Sequence, residues 1–443
     1  MNTPIIDFIK KYNKANAVRL HMPGHKSKIK GAEFDITEID GADSLFDAST
    51  IIDESEKNLS LIFNTNFSVY STQGSSLSIM TMLSLIRDYA ILNDKKPLIL
   101  STRNAHSSFL NGVGLLDIQV EWIYNTGDCF LSSTLNQQIL EKHLNQMQYL
   151  PTALYVTSPD YLGNILPIKE IAGVCKKYGV LCVVDNAHGS YLNFLEENIH
   201  PINLGADMCA DSAHKTLPVL TGGAYVHVSK DFNFFTKEQV KGKMKMFAST
   251  SPSYLTLCSL DKANKYLNDN SSDFENCKKK VDDVKELLLN LGHKLVGDEP
   301  LKISIDCNYF GYLGSQIANI LKKENIIVEY FDNAFVVLMF SPFNKKSEYK
   351  RLKKVFSKIK REKEIIRPTF KKLEPVRKMS IKDALLAKSE TIKVEDAEGR
   401  ILSSTNISCP PAVPIMFSGE VVDKNAIKVM KYNNINYCKV VVE

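Results

Sequence analysis

The sequence predicts an α/β protein in which a mostly parallel sheet is covered by helices and followed by a smaller α+β domain. Three observations carry that expectation. From about residue 65, short apolar runs alternate with helical stretches; two such runs flank a helix of 3.6-residue period between residues 153 and 187; and the texture changes after Ser253 to long helix and then short strands. Strand, helix and strand in succession argue for parallel pairing with both faces buried.

The elements follow in order. "FSVYST" (67–72) leads into "QGSS" (73–76) and the apolar helix "LSIMTMLSLI" (77–86); "PLILS" (97–101), "ALYVTSP" (153–159), "LCVVDNA" (181–187) and "AYVHV" (224–228) read as buried strands. In "IKEIAGVCKKYG", Ile168, Ile171, Ala172, Cys175 and Tyr178 mark one helix face and Gly179 supplies the stop. Residues 255–292 read as helical; "KISID", "IIVEY" and "AFVVLMF" follow as short strands around the helical "LGSQIANILKKEN" (313–325). The Pro-rich "CPPAVPIMFSGE" (409–420) must be an extended loop, ahead of a last helix and the strand "YCKVVV". The expected organisation is an N-terminal arm (1–60), a large domain (61–253), a helical connection (254–292) and a small C-terminal domain (293–443).

Composition narrows the function. With 443 residues, 44% hydrophobic and 24% charged, the chain can bury a core large enough for two domains. The N-terminus lacks a signal-peptide apolar region and no apolar stretch could span a bilayer, so a cytoplasmic protein without a membrane partner is expected. Nine cysteines contain no CxxC pair, and Cys175, Cys182 and Cys209 lie in apolar stretches, so they read as reduced core residues and no metal site is expected. Residues 344–372 hold 13 Lys or Arg against 3 Glu, but Tyr349, Leu352, Val355, Phe356 and Ile359 recur at helical spacing, which assigns the lysines to a solvated helix face and not to nucleic acid.

The polar residues just past the strands carry the chemistry, because ligands in such sheets collect at carboxyl ends of strands. Gly74, Ser75 and Ser76 open a helix and offer N–H groups, hydroxyls and a positive dipole end to an anion. His106 follows one strand, Asp185 ends another with His188 beyond it, and 30 residues later Lys215 stands in "DSAHKTLPVLTGGA" behind Ser212 and His214. A lysine ammonium is costly to bury, so Lys215 is expected at a strand end or in a covalent bond. Together these types suit pyridoxal 5'-phosphate: a lysine for the imine, an aspartate for the pyridine nitrogen, a flat imidazole for the ring face and serines for the phosphate.

The runs "RLHMPGHK" (19–26), "RNAHSS" (103–108), "VVDNAHGSY" (183–191), "DSAHKTLPVLTGGA" (211–224), "STSPSYLTLCSLDKA" (249–263) and "CPPAVPIMFSGE" (409–420), in this order, resemble the Orn/Lys/Arg decarboxylases, fold type I (aspartate-aminotransferase-like) pyridoxal-phosphate enzymes, in their short form. The resemblance implies that Lys215 carries the imine, Asp185 pairs with the ring nitrogen, His106 stacks on the ring and Ser75, Ser76 and Ser212 hold the phosphate. It also implies that His188 and His214 flank the reaction, that Glu420 approaches the substrate's distal amine, and that Thr250 or Ser251 reaches a partner's cofactor in a homodimer. Asp43 and Asp47 are further candidates for the distal contact. The implied reaction is decarboxylation of a basic amino acid, arginine first, then lysine or ornithine. Another reaction of the same cofactor, aminotransferase or lyase, and an inactive binding or regulatory subunit are the alternatives.

Three positions depart from the family pattern. Gln73 stands in "TQGSS" where a small or Asn-like residue is common, Asn186 where an acid is frequent, and Ala412 where the Pro-Pro-Gly of the loop has glycine. Alanine resists positive φ, so the loop is expected to take a different path.

Overall fold

The computed structural model describes residues 1–124, 129–404 and 411–442. The chain forms two compact units. The first comprises Met1–Pro97, Leu144–Val156 and Ile168–Ser272; the second comprises Leu98–His143, Thr157–Pro167 and Asp273–Glu443. Its first seven strands are β1 (Phe67–Ser71), β2 (Leu98–Thr102), β3 (Gln119–Ile123), β4 (Ala153–Thr157), β5 (Leu181–Asp185), β6 (Met208–Asp211) and β7 (Ala224–Val228).

In the first unit the strands lie in the order β1, β7, β6, β5, β4. β5 and β6 are parallel, with Asp185 opposite Ala210, whereas β7 runs antiparallel to both β6 and β1. The reversal of β7 was not among the sequence expectations. Its cause is the short link: Ser212 to Gly223 holds only one turn of helix, Ala213–Thr216, and cannot make a covering crossover. Every residue of β5 is buried, as a strand covered on both faces requires. The helix Ile168–Tyr178 buries Ile168, Ile171, Ala172, Val174 and Cys175, so Val174 takes the place expected of Tyr178 on that face. Gly179 ends it in the left-handed region at φ 65°, open to glycine at little cost. Replacing Ile171, which has no exposed surface, by Ala would cost about 2–5 kcal/mol.

The second unit holds the parallel pair β2 and β3, and two antiparallel sheets. One sheet has the order β10 (Tyr330–Phe331), β11 (Phe335–Met339), β9 (Lys302–Asp306), β8 (Lys294–Val296); the other has β14 (Tyr437–Val441) in the middle, flanked by β12 (Ser389–Lys393) and β13 (Leu402–Ser404). Strand structure in "IIVEY" is confined to Tyr330, because this edge segment turns Ile327 out to solvent. The basic segment forms the helix Lys346–Phe356, burying Tyr349, Leu352, Val355 and Phe356 and turning its lysines to water, as its spacing predicts. Cys409 and Pro410 lie outside the described residues, but Ala412 does adopt positive φ, at 53°, and its carbonyl accepts the Ser107 N–H at 2.8 Å. The expectation that alanine would avoid this conformation is therefore corrected: the hydrogen bond and the buried position of Ala412 hold it there.

The eight cysteines among the described residues are free, seven of them buried. Among the described residues no helix is long and apolar enough to cross a membrane.

Candidate active site

The centre of the candidate site is the carboxyl end of β5 and β6 in the first unit. Asp185 closes β5; the chain leaves β6 at Asp211 and reaches Lys215 after one turn of helix. Lys215 is exposed, and its Nζ lies 2.9 Å from Nε2 of the buried His188. A lysine just past a strand end is one of the two situations its sequence context allows.

Asp185 is 2% exposed. Its Oδ1 accepts the Ala187 N–H at 3.2 Å and its Oδ2 accepts the Tyr155 hydroxyl at 3.3 Å. Burial pushes its carboxyl above the ordinary range, opposed chiefly by the positive charge of Lys215 and then by the Ala187 N–H. A buried carboxylate with two long hydrogen bonds gains most from a nearby cation. A protonated ring nitrogen is such a cation.

A helix start stands where the sequence places the anion turn. The helix Gly74–Leu92 starts at Gly74, whose φ of 73° is paired with open space where a Cβ would stand. The Gly74 N–H donates to the Gly222 carbonyl at 2.7 Å, which ties this turn to the end of the Lys215 loop. Gly222 is required there twice over: its φ is 95°, and a Cβ would meet the Thr72 carbonyl oxygen at 2.9 Å. Ser75 is half-buried and Ser76 exposed at the first turn of this helix, where backbone N–H groups have no intrahelical acceptor. Ser212 is buried, with Oγ 3.3 Å from His214 Nδ1; that same nitrogen lies 3.1 Å from the Gly223 carbonyl, and so carries the proton. Burial keeps His214 below the ordinary imidazole range. Thr250 and Ser251 are exposed in the turn before the helix Tyr254–Asn270.

The remaining candidates belong elsewhere. In the second unit His106 caps the helix Ser107–Leu115: its Nδ1 accepts the Ser108 N–H at 3.1 Å, which fixes the ring. Glu420, 2% exposed, is engaged on both oxygens: Arg103 donates from Nη1 at 2.6 Å and from Nη2 at 3.0 Å, and the Phe417 N–H donates at 2.8 Å. In the first unit the Asp43 carboxylate accepts the N–H groups of Ser49, Thr50 and Ile52, and Asp47 pairs with Lys245 at 2.8 Å.

Sequence reasoning missed two groups here. Tyr155 was read as a strand residue; a hydroxyl inside an otherwise apolar run needs a polar partner, and that requirement was the available signal. Asp211, His200 and His227 form a wholly buried cluster; Asp211 falls in "DSAHKTLPVLTGGA" and His227 in the strand "AYVHV", whereas His200 lies in neither run.

The donor set fits pyridoxal phosphate: a lysine at the lip, a buried acid facing its charge, and an open helix start tied to the lysine loop. Known proteins agree over nearly the whole chain. Residues 3–294 match the Orn/Lys/Arg decarboxylase major domain and residues 363–437 match the C-terminal domain of Orn/Lys/Arg decarboxylases. The arginine decarboxylase of Bacillus subtilis (strain 168) is 27% identical over 463 residues, covering 96% of this chain and 92% of that protein. The lysine decarboxylase LdcF of Francisella novicida superposes with a TM-score of 0.82 at 15% identity, over 99% of this chain and 81% of that one. The constitutive lysine decarboxylase of E. coli superposes with 0.77 at 16% identity, over 100% and 82%. The fold is that of the fold type I pyridoxal-phosphate enzymes. By its two matched domains the chain belongs to the Orn/Lys/Arg decarboxylase family and is a pyridoxal-phosphate-dependent amino-acid decarboxylase.

Proposed function

We propose that this protein decarboxylates a basic amino acid, with arginine the first substrate and lysine or ornithine next, to the corresponding amine and CO2. The observation that carries the reading is the placement of Lys215, His188 and Asp185 at adjoining strand ends in a chain of this family. The choice of arginine is supported by the name of the B. subtilis relative.

Bound pyridoxal phosphate supplies an electron sink for the charge left at Cα when CO2 departs. Asp185 would keep a proton on the ring nitrogen of the bound cofactor: its buried carboxylate needs a cation, and its Tyr155 and Ala187 bonds fix where it points. Lys215 would hold the cofactor, for which its amine must be neutral. His188 Nε2, at 2.9 Å, accepts the proton that Lys215 Nζ gives up and can return it. Ser75, Ser76 and Ser212 would hold the phosphate, and His214, kept neutral by burial, donates its Nδ1 proton to the Gly223 carbonyl and so holds the loop beside Ser212. His106, for which the resemblance implies a place on the ring face, would have its plane set by the Ser108 bond.

Glu420 is assigned to the Pro-rich loop through Arg103 and Phe417, since both of its oxygens are already engaged. Thr250 or Ser251 reaches the cofactor of a second copy in a cytoplasmic homodimer. The test is CO2 release from arginine, lysine and ornithine by protein supplied with pyridoxal phosphate, with the amine identified by mass. One dominant substrate among the three supports the reading; a keto acid as product, or no CO2 from any of them, overturns it.

A further inference from the structure

Directly behind the strand ends lies a charge cluster that the proposed chemistry does not use. His200, Asp211 and His227 have no exposed surface at all. His200 Nδ1 accepts the Ile202 N–H at 3.4 Å, so its proton is on Nε2 and is donated to Asp211 Oδ2 at 2.9 Å. His227 Nε2 approaches the same oxygen at 3.4 Å, while its Nδ1 lies 2.7 Å from the Ser68 hydroxyl. The other oxygen, Asp211 Oδ1, accepts the side-chain N–H of Asn186 at 2.7 Å. Burial works against the Asp211 carboxylate, but the two imidazoles outweigh it and hold its pKa well below the usual range. Asp211 is therefore a fixed negative charge.

Asn186 connects this cluster to the site. It is the residue after Asp185, its backbone N–H donates to the Ala210 carbonyl at 2.9 Å, and its side chain is wholly buried. The peptide that carries Asp185 is thus clamped to β6 from both the backbone and the side chain of its neighbour. An acid at position 186 would face Asp211 across 2.7 Å without water, and two like charges cannot both stay ionised in that setting. The amide is the form that Asp211 demands. Asn186 Nδ2 also lies 3.0 Å from His200 Nε2, nearly the distance of Asp211 Oδ2, so a carboxylate at either position reaches the imidazole proton.

We propose that Asp211 is a positioning residue for cofactor binding, acting on Asp185 through Asn186, and that the acid and amide at positions 211 and 186 form one exchangeable pair. The inference rests on the pyridoxal-phosphate reading of the site. The pair sets the direction of the Asp185 carboxylate without touching cofactor or substrate.

Three variants of the full chain test it: Asp211→Asn, Asn186→Asp and the swap carrying both. The readouts are the dissociation constant for pyridoxal phosphate, from absorbance titration of the apoprotein, and the melting temperature of the apoprotein followed by far-UV circular dichroism. Each single variant is expected to weaken pyridoxal phosphate binding about tenfold or more, and the swap to return it to within about threefold of the parent. Folded single variants that lower the melting temperature but bind the cofactor as the parent does would overturn the proposal and leave a merely structural cluster. Should a single variant fail to fold, the swap decides: parental affinity supports the pair, while failure to fold or binding tenfold weaker overturns it. If the parent itself does not bind pyridoxal phosphate, the functional reading falls first and the positioning role with it.

Discussion

Two buried acids of this chain, Asp185 in the first unit and Glu420 in the second, are equally hidden from water yet are treated in opposite ways. Glu420 receives a fork of two N–H groups from Arg103 and a third from Phe417. The Arg103 guanidinium is in turn covered by aromatic rings, with Phe417 at 4.0 Å, Tyr124 at 5.3 Å and Trp122 at 5.7 Å. Asp185 receives only two long bonds, and burial raises its pKa while the charge of Lys215 opposes the rise. The first arrangement is closed: its charges cancel within the protein, with strong geometry. The second is open: burial raises the carboxyl, and only the Lys215 charge and two long bonds oppose the rise. The difference teaches which acid to assign to chemistry and which to architecture.

The largest expected effect separates the two at once. Lys215→Ala should lower kcat by about a thousandfold or more, roughly 4 kcal/mol, and abolish the visible absorption of the bound cofactor. Because Lys215 is exposed, urea unfolding of that apoprotein should shift by no more than about 0.5 kcal/mol. Arg103→Ala should do the reverse to stability. It strands the buried Glu420 charge and should cost about 3–5 kcal/mol in urea unfolding, and Arg103→Lys should recover only part because it cannot make the fork. A loss under 1 kcal/mol would show that the pair is not closed.

A smaller effect concerns an open acid far from the site. Asp261 has no exposed surface, and burial lifts its carboxyl from 3.8 to about 6, against hydrogen bonds from Ser55 and from Ile6. The folded state binds this proton more tightly than the unfolded one. Its contribution is therefore complete below about pH 4 and is lost as pH rises through 6, by at most about 3 kcal/mol. The stability of the parent relative to Asp261→Asn should fall between pH 4 and pH 8 in urea titrations; a flat difference would remove the charge argument. The smallest effect is Ala412→Gly. Relief of the left-handed alanine should stabilise the protein by about 1 kcal/mol, partly offset by the greater freedom of glycine when unfolded.

The strands were legible where they are fully apolar. "AYVHV" matches β7 residue for residue and "LCVVD" ends at Asp185, because a buried strand needs a predominantly apolar run. β6 escaped notice: it is four residues long and consists of Met, Cys, Ala and Asp, none of them a strong strand former. The direction of β7 was not legible either, since an apolar run looks alike read up or down the sheet. In the site, Lys215 and Asp185 could be named because their types and order match a chemistry. The pairing of Arg103 with Glu420 spans 317 positions and that of His200 with Asp211 needs the fold to be seen at all. Neither leaves a local signal.

The most direct test of the account is borohydride reduction of the protein loaded with pyridoxal phosphate, followed by peptide mass mapping. The imine assigned to Lys215 would be trapped as a stable secondary amine, so the pyridoxyl mass is predicted on the peptide carrying "DSAHKTLP" and on Lys215 within it. A label on a different lysine, or none in protein that has bound the cofactor, would contradict the assignment of Lys215.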